Sequence, residues 1–398
     1  MKPSVNVSFE NGNLGLVSTN PDGVFAIVCS AVAVASTFLL NKAYVIKSLA
    51  EAEAMGITNS VANYALHKTI KEFYGEAGNG TELWIYGVAK TRTLDQMIAD
   101  SEALLLESNR RLSGVVIKYA PSVADNAVTD GLRTAFEATV SAAQDLADYF
   151  TTDKKHPIVF ILEGYNFTGV ADDLVGFATK NYNRVAVMIG DTEKRTGSTA
   201  SKGAAVGVLA GRLAKVQVHT NIGRVRDGAL APLNLYVVDT PVEMYDTETL
   251  NDKGFVTLTT HVGKSGYFFM DDPLACDSSN DYHFMSRRRV IDKAYRLALT
   301  ALTNFILDTI PVTNEGKIQA QYAKAMEAEV ERVIAQQMSA TGELSVDPTV
   351  ANDTGVQCTI DTTNNVVQDS TVNGKIRVRP HGYGRFLEFD LGFTVQNN

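Results

Sequence analysis

Residues 157–162 read PIVFIL, a short run in which every residue is apolar. Two similar runs accompany it, VVIK at residues 115–118 and VAVMI at residues 185–189, and stretches with helical periodicity separate the three. Buried apolar strands that alternate with helices are typical of a parallel sheet covered on both faces. The sequence therefore predicts an α/β fold with a Rossmann-like core.

The patterns on either side of these runs divide the chain into four regions. Residues 23–92 combine short strand and helix patterns with a glycine-rich turn, which predicts a smaller α+β lobe. Two long helical patterns at residues 287–308 and 315–338 each have one apolar face and complete the core. We expect the following organisation: an N-terminal strand arm at 1–22, the small lobe at 23–92, the α/β core at 93–340, and C-terminal strands at 341–398.

Both ends of the sequence carry short strand patterns with one apolar and one polar face. The apolar positions of these patterns are Val5, Val7 and Phe9 near residue 1, Ile376 and Val378 after a long polar stretch, and Leu387, Phe389, Leu391 and Phe393 near residue 398. An isolated hairpin is only marginally stable in water, so such apolar faces must find a sheet. We expect these strands to add to the sheet of another subunit.

Charge and hydrophobicity exclude two classes of partner. The 398 residues carry a net charge of -9, whereas phosphate recognition needs a broad basic surface, so nucleic-acid binding is not expected. Residues 23–40 form an uncharged stretch that approaches the ~20 residues of a membrane-spanning helix. The preceding Pro21 and Asp22, the many Ala and Ser residues and the lack of a basic flank favour a buried strand and loop instead, without membrane insertion.

No motif in the sequence indicates a catalytic or ligand-binding site. The glycine-rich residues 190–207 lack the spacing of a phosphate loop, because Lys202 precedes Gly203 and Ala204 stands where a magnesium-binding hydroxyl is needed, so a closely packed small-residue helix is predicted for residues 200–214. The six histidines are scattered. The three cysteines are far apart and indicate neither disulfides nor zinc, which fits a reducing compartment. We expect no catalytic, cofactor-binding or metal-binding residues, and no enzyme activity.

Two clusters of charge lie close together in the sequence. The first is acidic and contains Asp271, Asp272, Asp277 and Asp281; it lacks the spacing of a calcium loop, which favours a solvated turn. The second comprises Arg287, Arg288 and Arg289 at the start of a helix, where the helix dipole disfavours cations. Two interpretations stay open: the arginines pair with the acidic cluster, or they form a basic ridge that faces an acidic partner.

Several segments, in order along the chain, resemble the contractile tail sheath proteins of bacteriophages, R-type bacteriocins and related injection machines. FAIVCSA (25–31), YVIKSLAEAEAMG (44–56) and IKEFYGEAGNGTELWIYGVA (70–89) are similar to the N-terminal part of that family. SRRRVIDKAYRLALTALTNFILD (286–308) resembles its long arginine-led helix, and VQCTIDTTNNVVQDSTVNGKIRVRPHGYGRFLEFDLGF (356–393) resembles its closing strands. The sequence His381-Gly382-Tyr383 departs from the hydrophobic-aromatic motif of the family before the last strand.

The resemblance implies a structural role. In sheaths, extended terminal strands complete a small sheet in neighbouring subunits, so the residues named above at both ends become strand-exchange residues, and Arg287, Arg288 and Arg289 become candidates to face the tube. It further implies a helical homo-oligomer of hexameric rings, a tail tube protein, a baseplate and a tail terminator as partners, and a virion tail that is assembled in the bacterial host cytoplasm. The alternatives are an α/β enzyme with a Rossmann-like nucleotide-binding core and a non-contractile scaffold protein.

Overall fold

A computed structural model describes residues 21–198 and 202–393 of the chain. The predicted strand residues Val5, Val7 and Phe9 lie outside the described residues. The chain forms two compact units, of which the first extends to Arg296 and the second begins at Leu297.

The described residues contain helices of very different lengths. Side chains cap some of them: Ser48 accepts a hydrogen bond from the Glu51 amide at the start of α1, and Thr93 forms a capping box with Gln96 at the start of α3. The helices are α1 (Leu49–Ala54), α2 (Tyr64–Ala77), α3 (Leu94–Glu107), α4 (Phe136–Thr152), α5 (Val206–Lys215), α6 (Glu248–Asp252), α7 (Met285–Thr303), α8 (Ala320–Ile334) and α9 (Val366–Asp369).

The strands are short, as expected for a sheet built from brief apolar runs. They are β1 (Phe25–Ala31), β2 (Ala43–Ile46), β3 (Leu83–Ala89), β4 (Gly114–Lys118), β5 (Val128–Thr129), β6 (Leu132–Arg133), β7 (Val159–Glu163), β8 (Asn181–Tyr182), β9 (Val185–Met188), β10 (Tyr236–Val237), β11 (Thr240–Pro241), β12 (Leu258–Thr259), β13 (Phe268–Phe269), β14 (Ala275–Cys276), β15 (Val356–Ile360) and β16 (Gly374–Val378).

The first unit is built on a six-stranded sheet with the order β2-β3-β1-β4-β7-β9. All neighbouring pairs are parallel except β2 with β3. Every residue of β1, β4, β7 and β9 is buried, which accounts for their unbroken apolar runs. The predicted α/β fold class is therefore confirmed, while the finer description as a Rossmann-like core stays an interpretation.

Residues 23–92, expected to form a separate small lobe, contribute β1, β2 and β3 to this same sheet. The alternation of short elements in this region resembled an independent lobe, but β1 pairs with β4 along five residues and ties the region to residues 93–188. The uncharged stretch 23–40 forms the buried strand β1 and a following loop, as predicted. In the part of the chain that the structure describes, no helix is long and apolar enough to cross a membrane.

Helix α5 packs closely on α2, as the small-residue pattern predicted. A Cβ atom added to Gly207 would lie 2.3 Å from the carbonyl oxygen of Thr69, and one added to Gly211 would lie 2.5 Å from that of Phe73. Because backbone carbonyls of a helix cannot move aside, only glycine fits at these two positions. Gly207, one of the glycines that suggested a phosphate loop, therefore serves helix packing.

The second unit contains α8, α9 and the antiparallel pair of β15 and β16. Helix α8 ends at Ile334 and continues as a π-helical turn to Ser339, so the predicted helix at 315–338 is shorter in its regular part. Its core is small, with Ile318, Ala323, Met326 and Ile360 buried together.

Candidate functional site

The C-terminal segment, defined as residues 386–393, has large apolar side chains that lie in water. Its exposed fractions are 76% for Leu387, 88% for Phe389, 100% for Leu391 and 107% for Phe393, and Phe386 is 87% exposed. None of these residues belongs to a helix or strand. A run of exposed aromatic and aliphatic residues of this kind marks an interaction site.

Among the described residues, the sheet that precedes this segment consists of the two strands β15 and β16. Cys358 lies opposite Ile376 and Val356 opposite Val378, so these side chains share one face of the hairpin. Gln357 and Arg377, opposite each other, lie exposed on the other face. Ile376 and Val378 were expected to pair with another subunit, but they lie in β16, which pairs with β15 of the same chain. The long polar stretch between the two strands gave no indication of this pairing in the sequence.

The two outer edges of this hairpin differ. On β15, the amides of Cys358 and Ile360 point away from β16 and donate to the carboxylates of Glu331 and Glu327 on α8, at 2.7 and 2.8 Å. The hydrogen bond from Lys324 to Glu327 helps hold the pKa of this carboxyl below its usual value, against the opposing effect of burial. The β15 edge is therefore covered by side chains.

The β16 edge is open. Arg377 lies opposite Gln357 and Lys375 opposite Thr359. The amide of Arg379 donates to the Gly355 carbonyl and the amide of Asp361 to the Asn373 carbonyl, so every second residue of β16 has its backbone polar groups directed at β15. The amides of Ile376 and Val378 consequently point outwards. Within residues 21–198 and 202–393 they have no hydrogen-bond partner, so this edge can accept a strand.

The arginine cluster lies mostly inside the first unit. Arg288 and Arg289 are 8% and 5% exposed, and only Arg287 is partly exposed. Arg288 donates to Asp292 at 3.1 Å, and Arg289 donates to the Leu213 carbonyl at 2.9 Å. The three residues therefore do not form a surface ridge, because the side chains of Arg288 and Arg289 are buried and donate hydrogen bonds within the chain. The tube-facing role stays a prediction for Arg287.

Asp292 connects two basic residues that are distant in sequence. Arg184 donates to it at 3.1 and 3.2 Å, and all partners of this cluster are buried. The carboxylate that pairs with Arg288 thus lies one helical turn after it on α7, and not in the upstream acidic cluster.

The acidic cluster has local roles. Asp272 is fully buried and accepts a hydrogen bond from the Ser286 amide at 2.8 Å, which caps the start of α7. Asp277 accepts the Ser279 amide at 2.8 Å in a turn. The described residues contain no group of three or more His, Cys, Asp or Glu that could hold a metal ion.

The carboxyl edge of the main sheet is where an α/β enzyme of this topology binds its ligand. Here Lys118 at the end of β4 forms a buried ion pair with Glu163 at the end of β7. Glu163 also accepts the amides of Tyr119 and Ala204, at 2.8 and 2.9 Å. Burial raises the pKa of Glu163 despite these partners. The position is occupied by the chain's own charges.

A second buried cluster lies beside it. Lys68 on α2 pairs with Asp191 and with Glu72, the latter at 3.1 Å. Burial acts to raise the pKa of Asp191, but Lys68 and Lys118 hold it below its usual value. The adjacent cavity, lined by Gly164, Gly190 and Asp191 among others, measures about 20 Å³, room for about one water molecule. This region suits structural ion pairs and is too small for a nucleotide.

Sequence reasoning missed the side chains that cover the β15 edge. Glu327 and Glu331 are four residues apart on α8, so they share one face of the helix. The sequence did contain a signal for them, because two carboxylates on the apolar side of a helix are expected to bind a polar partner there. Also missed was Asp22, which pairs with Lys293 at 2.8 Å and with Arg296 on α7.

Comparison with known protein families matches nearly the whole chain. Residues 2–273 match the family described as DUF2586, N-terminal domain, and residues 281–398 match DUF2586, C-terminal domain. The chain belongs to the DUF2586 family. No curated protein matches this DUF2586 member.

Solved structures share the fold of this DUF2586 chain at low sequence identity. A chain of the anti-feeding prophage (AFP) baseplate is 12% identical with a TM-score of 0.60, and 99% of each chain is covered. A chain of an extracellular contractile injection system, the PVC sheath complex in its contracted state, is 13% identical with a TM-score of 0.56, over 99% of this chain and 98% of the other. The sheath tail protein of Desulfitobacterium hafniense is 10% identical with a TM-score of 0.53, over 94% and 100%. The resemblance to contractile tail sheath proteins is thus confirmed in the fold.

Proposed function

We propose that this DUF2586 chain is a structural subunit of a contractile tail sheath, which polymerises into stacked helical rings around a tail tube. The observation that carries the proposal is the exposed apolar C-terminal segment beside a two-stranded sheet with one open edge. A strand without a sheet and a sheet that can accept a strand are the two halves of an exchange between copies. The sheath-like fold supports the same function.

The strand exchange joins neighbouring subunits. Leu387, Phe389, Leu391 and Phe393 leave their own subunit as the C-terminal arm, and Val5, Val7 and Phe9 within residues 1–22 form the N-terminal arm. Ile376 and Val378 take part as the receiving strand. Because each subunit gives and receives strands, the contact is head-to-tail and extends into an open helical array.

The mechanism of the sheath is mechanical. Subunits assemble in hexameric rings in an extended state that the tail tube, the baseplate and the tail terminator hold in place. They then switch together to a shorter, wider packing that drives the tube through the host envelope, a transition between two packings that uses no nucleotide. Arg287 faces the tube, and the arms keep subunits linked while their bodies repack.

The assembled sheath belongs to a virion tail and forms in the cytoplasm of the bacterial host. The similarity to a contracted PVC sheath and to the AFP baseplate supports an assembly of this kind. We expect no enzymatic role, because the sheet edge that would hold a ligand contains paired internal charges.

Electron microscopy and sedimentation of the purified chain test the proposal. We expect tubes or stacked rings at high protein concentration. Discrete particles at every concentration, together with calorimetric binding of MgATP, would instead favour the α/β enzyme. Discrete particles or irregular assemblies without nucleotide binding would favour a non-contractile scaffold.

A further inference from the structure

The two edges of the β15–β16 hairpin differ in charge as well as in access. The exposed face of β16 carries Lys375 and Arg377, whereas the corresponding positions of β15 are the neutral Gln357 and Thr359. All four side chains are exposed. The exposed face of β16 therefore presents two cations to a strand that adds beside it, whereas the exposed face of β15 presents none.

The C-terminal segment has the complementary pattern. Glu388 and Asp390 alternate with the apolar Leu387, Phe389 and Leu391, so an extended segment places both carboxylates on one face. With its apolar face continuing that of Ile376 and Val378, its carboxylates lie beside Lys375 and Arg377. Opposite charges on neighbouring strands attract each other and thereby favour this edge.

We propose that the C-terminal segment of a second copy adds to the β16 edge, and that Glu327 and Glu331 exclude it from the β15 edge. The inference rests on the proposed function and names the edge that receives the arm. A strand entering beside β15 would have to displace two carboxylates from the amides of Cys358 and Ile360. Such covered edges are how natural sheets prevent wrong pairing.

Disulfide cross-linking distinguishes the two edges. Arg377→Cys and Gln357→Cys are a matched pair, since the two residues lie opposite each other in register on the same exposed face. A strand added beside β16 lies about 4.8 Å from Arg377 and about 10 Å from Gln357. A disulfide needs Cα atoms within about 7 Å, so it forms at the first site only.

Each of these variants is combined with Glu388→Cys and, to cover a second register, with Asp390→Cys. The double variants are assembled, oxidised and separated on non-reducing gels. We expect ladders of covalent multimers from Arg377→Cys and only monomer from Gln357→Cys. The unaltered chain, whose Cys29, Cys276 and Cys358 are buried, gives the background.

The role of the carboxylates is tested in the Gln357→Cys background. Replacing Glu327 and Glu331 by Ala uncovers the β15 edge, so we expect covalent multimers to appear there. Glu329→Ala is the matched control, because Glu329 lies on the same helix and pairs with Arg332 instead of β15. Replacing Glu327 and Glu331 by Gln keeps an acceptor oxygen, and the β15 edge should stay closed.

The outcomes separate this inference from the proposed function. Tubes with multimers from Gln357→Cys in the presence of both carboxylates overturn the choice of edge while the sheath function stands. Tubes with a fast-migrating cross-linked monomer from Arg377→Cys show that the segment folds onto its own hairpin and also overturn it. Absence of any assembly overturns the proposed function and the inference with it. Circular dichroism confirms that each variant is folded before it is scored.

Discussion

Phe389→Asp separates assembly from folding. In the single subunit Phe389 is 88% exposed, so its replacement should change the free energy of unfolding by no more than about 0.5 kcal/mol. In the assembled state, loss of its burial removes about 1.5–3 kcal/mol per contact, and the unpaired charge of Asp adds a further cost. The aromatic side chain alone corresponds to a loss of roughly 10- to 150-fold in the association constant of each contact.

The assay compares thermal unfolding by circular dichroism with electron microscopy and sedimentation. We expect Phe389→Asp to give soluble subunits with an unchanged Tm that do not form tubes. Glu388→Gln, on the polar face, is the control and should assemble with only a small loss, because an exposed ion pair contributes little. An insoluble protein or a Tm lowered by several degrees would refute the reasoning, since it would mean that the segment belongs to its own subunit's core.

Three further predictions concern the first unit. The pKa of Asp22 is held low in the folded state by its basic partners against the effect of burial, so its stabilising contribution is full above pH ~3.9 and is lost as pH falls below that value. Asp22→Asn should therefore lower the free energy of unfolding in urea by roughly 1–2 kcal/mol at pH 7, and less at pH 3. Gly211→Ala should cost about 1–3 kcal/mol because its Cβ meets a carbonyl of α2, whereas Gly176→Ala, with open space around it, should not. Lys118→Met should cost about 3–5 kcal/mol by leaving Glu163 buried without its cation, and adding Glu163→Gln, which removes the charge but keeps an acceptor oxygen for the amides of Tyr119 and Ala204, should restore much of it.

Each of these three predictions would be contradicted by a specific result. Equal losses for Asp22→Asn at pH 7 and pH 3 would show that the ion pairs contribute no pH-dependent stability. A silent Gly211→Ala would mean that α5 can move away from α2. A double variant at Lys118 and Glu163 that is less stable than Lys118→Met would show that the pair is needed for more than mutual neutralisation.

Much of the fold was readable from local patterns. The runs VVIK, PIVFIL and VAVMI predicted buried parallel strands because a strand covered on both faces needs apolar residues at every position, and all three form strands of one sheet. The apolar alternation from Leu387 to Phe393 predicted a strand that does not pair within its own subunit, and these side chains are exposed in the subunit. Such features depend only on neighbouring residues, which the sequence contains directly.

Pairing between distant residues was not readable in this way. Nothing local shows that Arg184 meets Asp292, that Lys118 meets Glu163, or that residues 23–92 share a sheet with residues 93–188. Arg289 looked like surface charge because its partner is a backbone carbonyl of another helix. The partner of Arg288, Asp292, lies one turn further along the same helix, and this spacing is present in the sequence. The partner strand of Ile376, β15, was hidden because a polar stretch separates the two strands in the sequence.

The sequence alone determined the periodicities: which residues are apolar on both faces, which alternate, and where glycine removes a side chain. Only the tertiary structure decided which edge of the β15–β16 hairpin is open, because that depends on Glu327 and Glu331 reaching across from α8 to two amides. A hydrogen bond between residues that lie about thirty positions apart requires the chain to have folded back on itself, and this return path is a property of packing that no local pattern specifies.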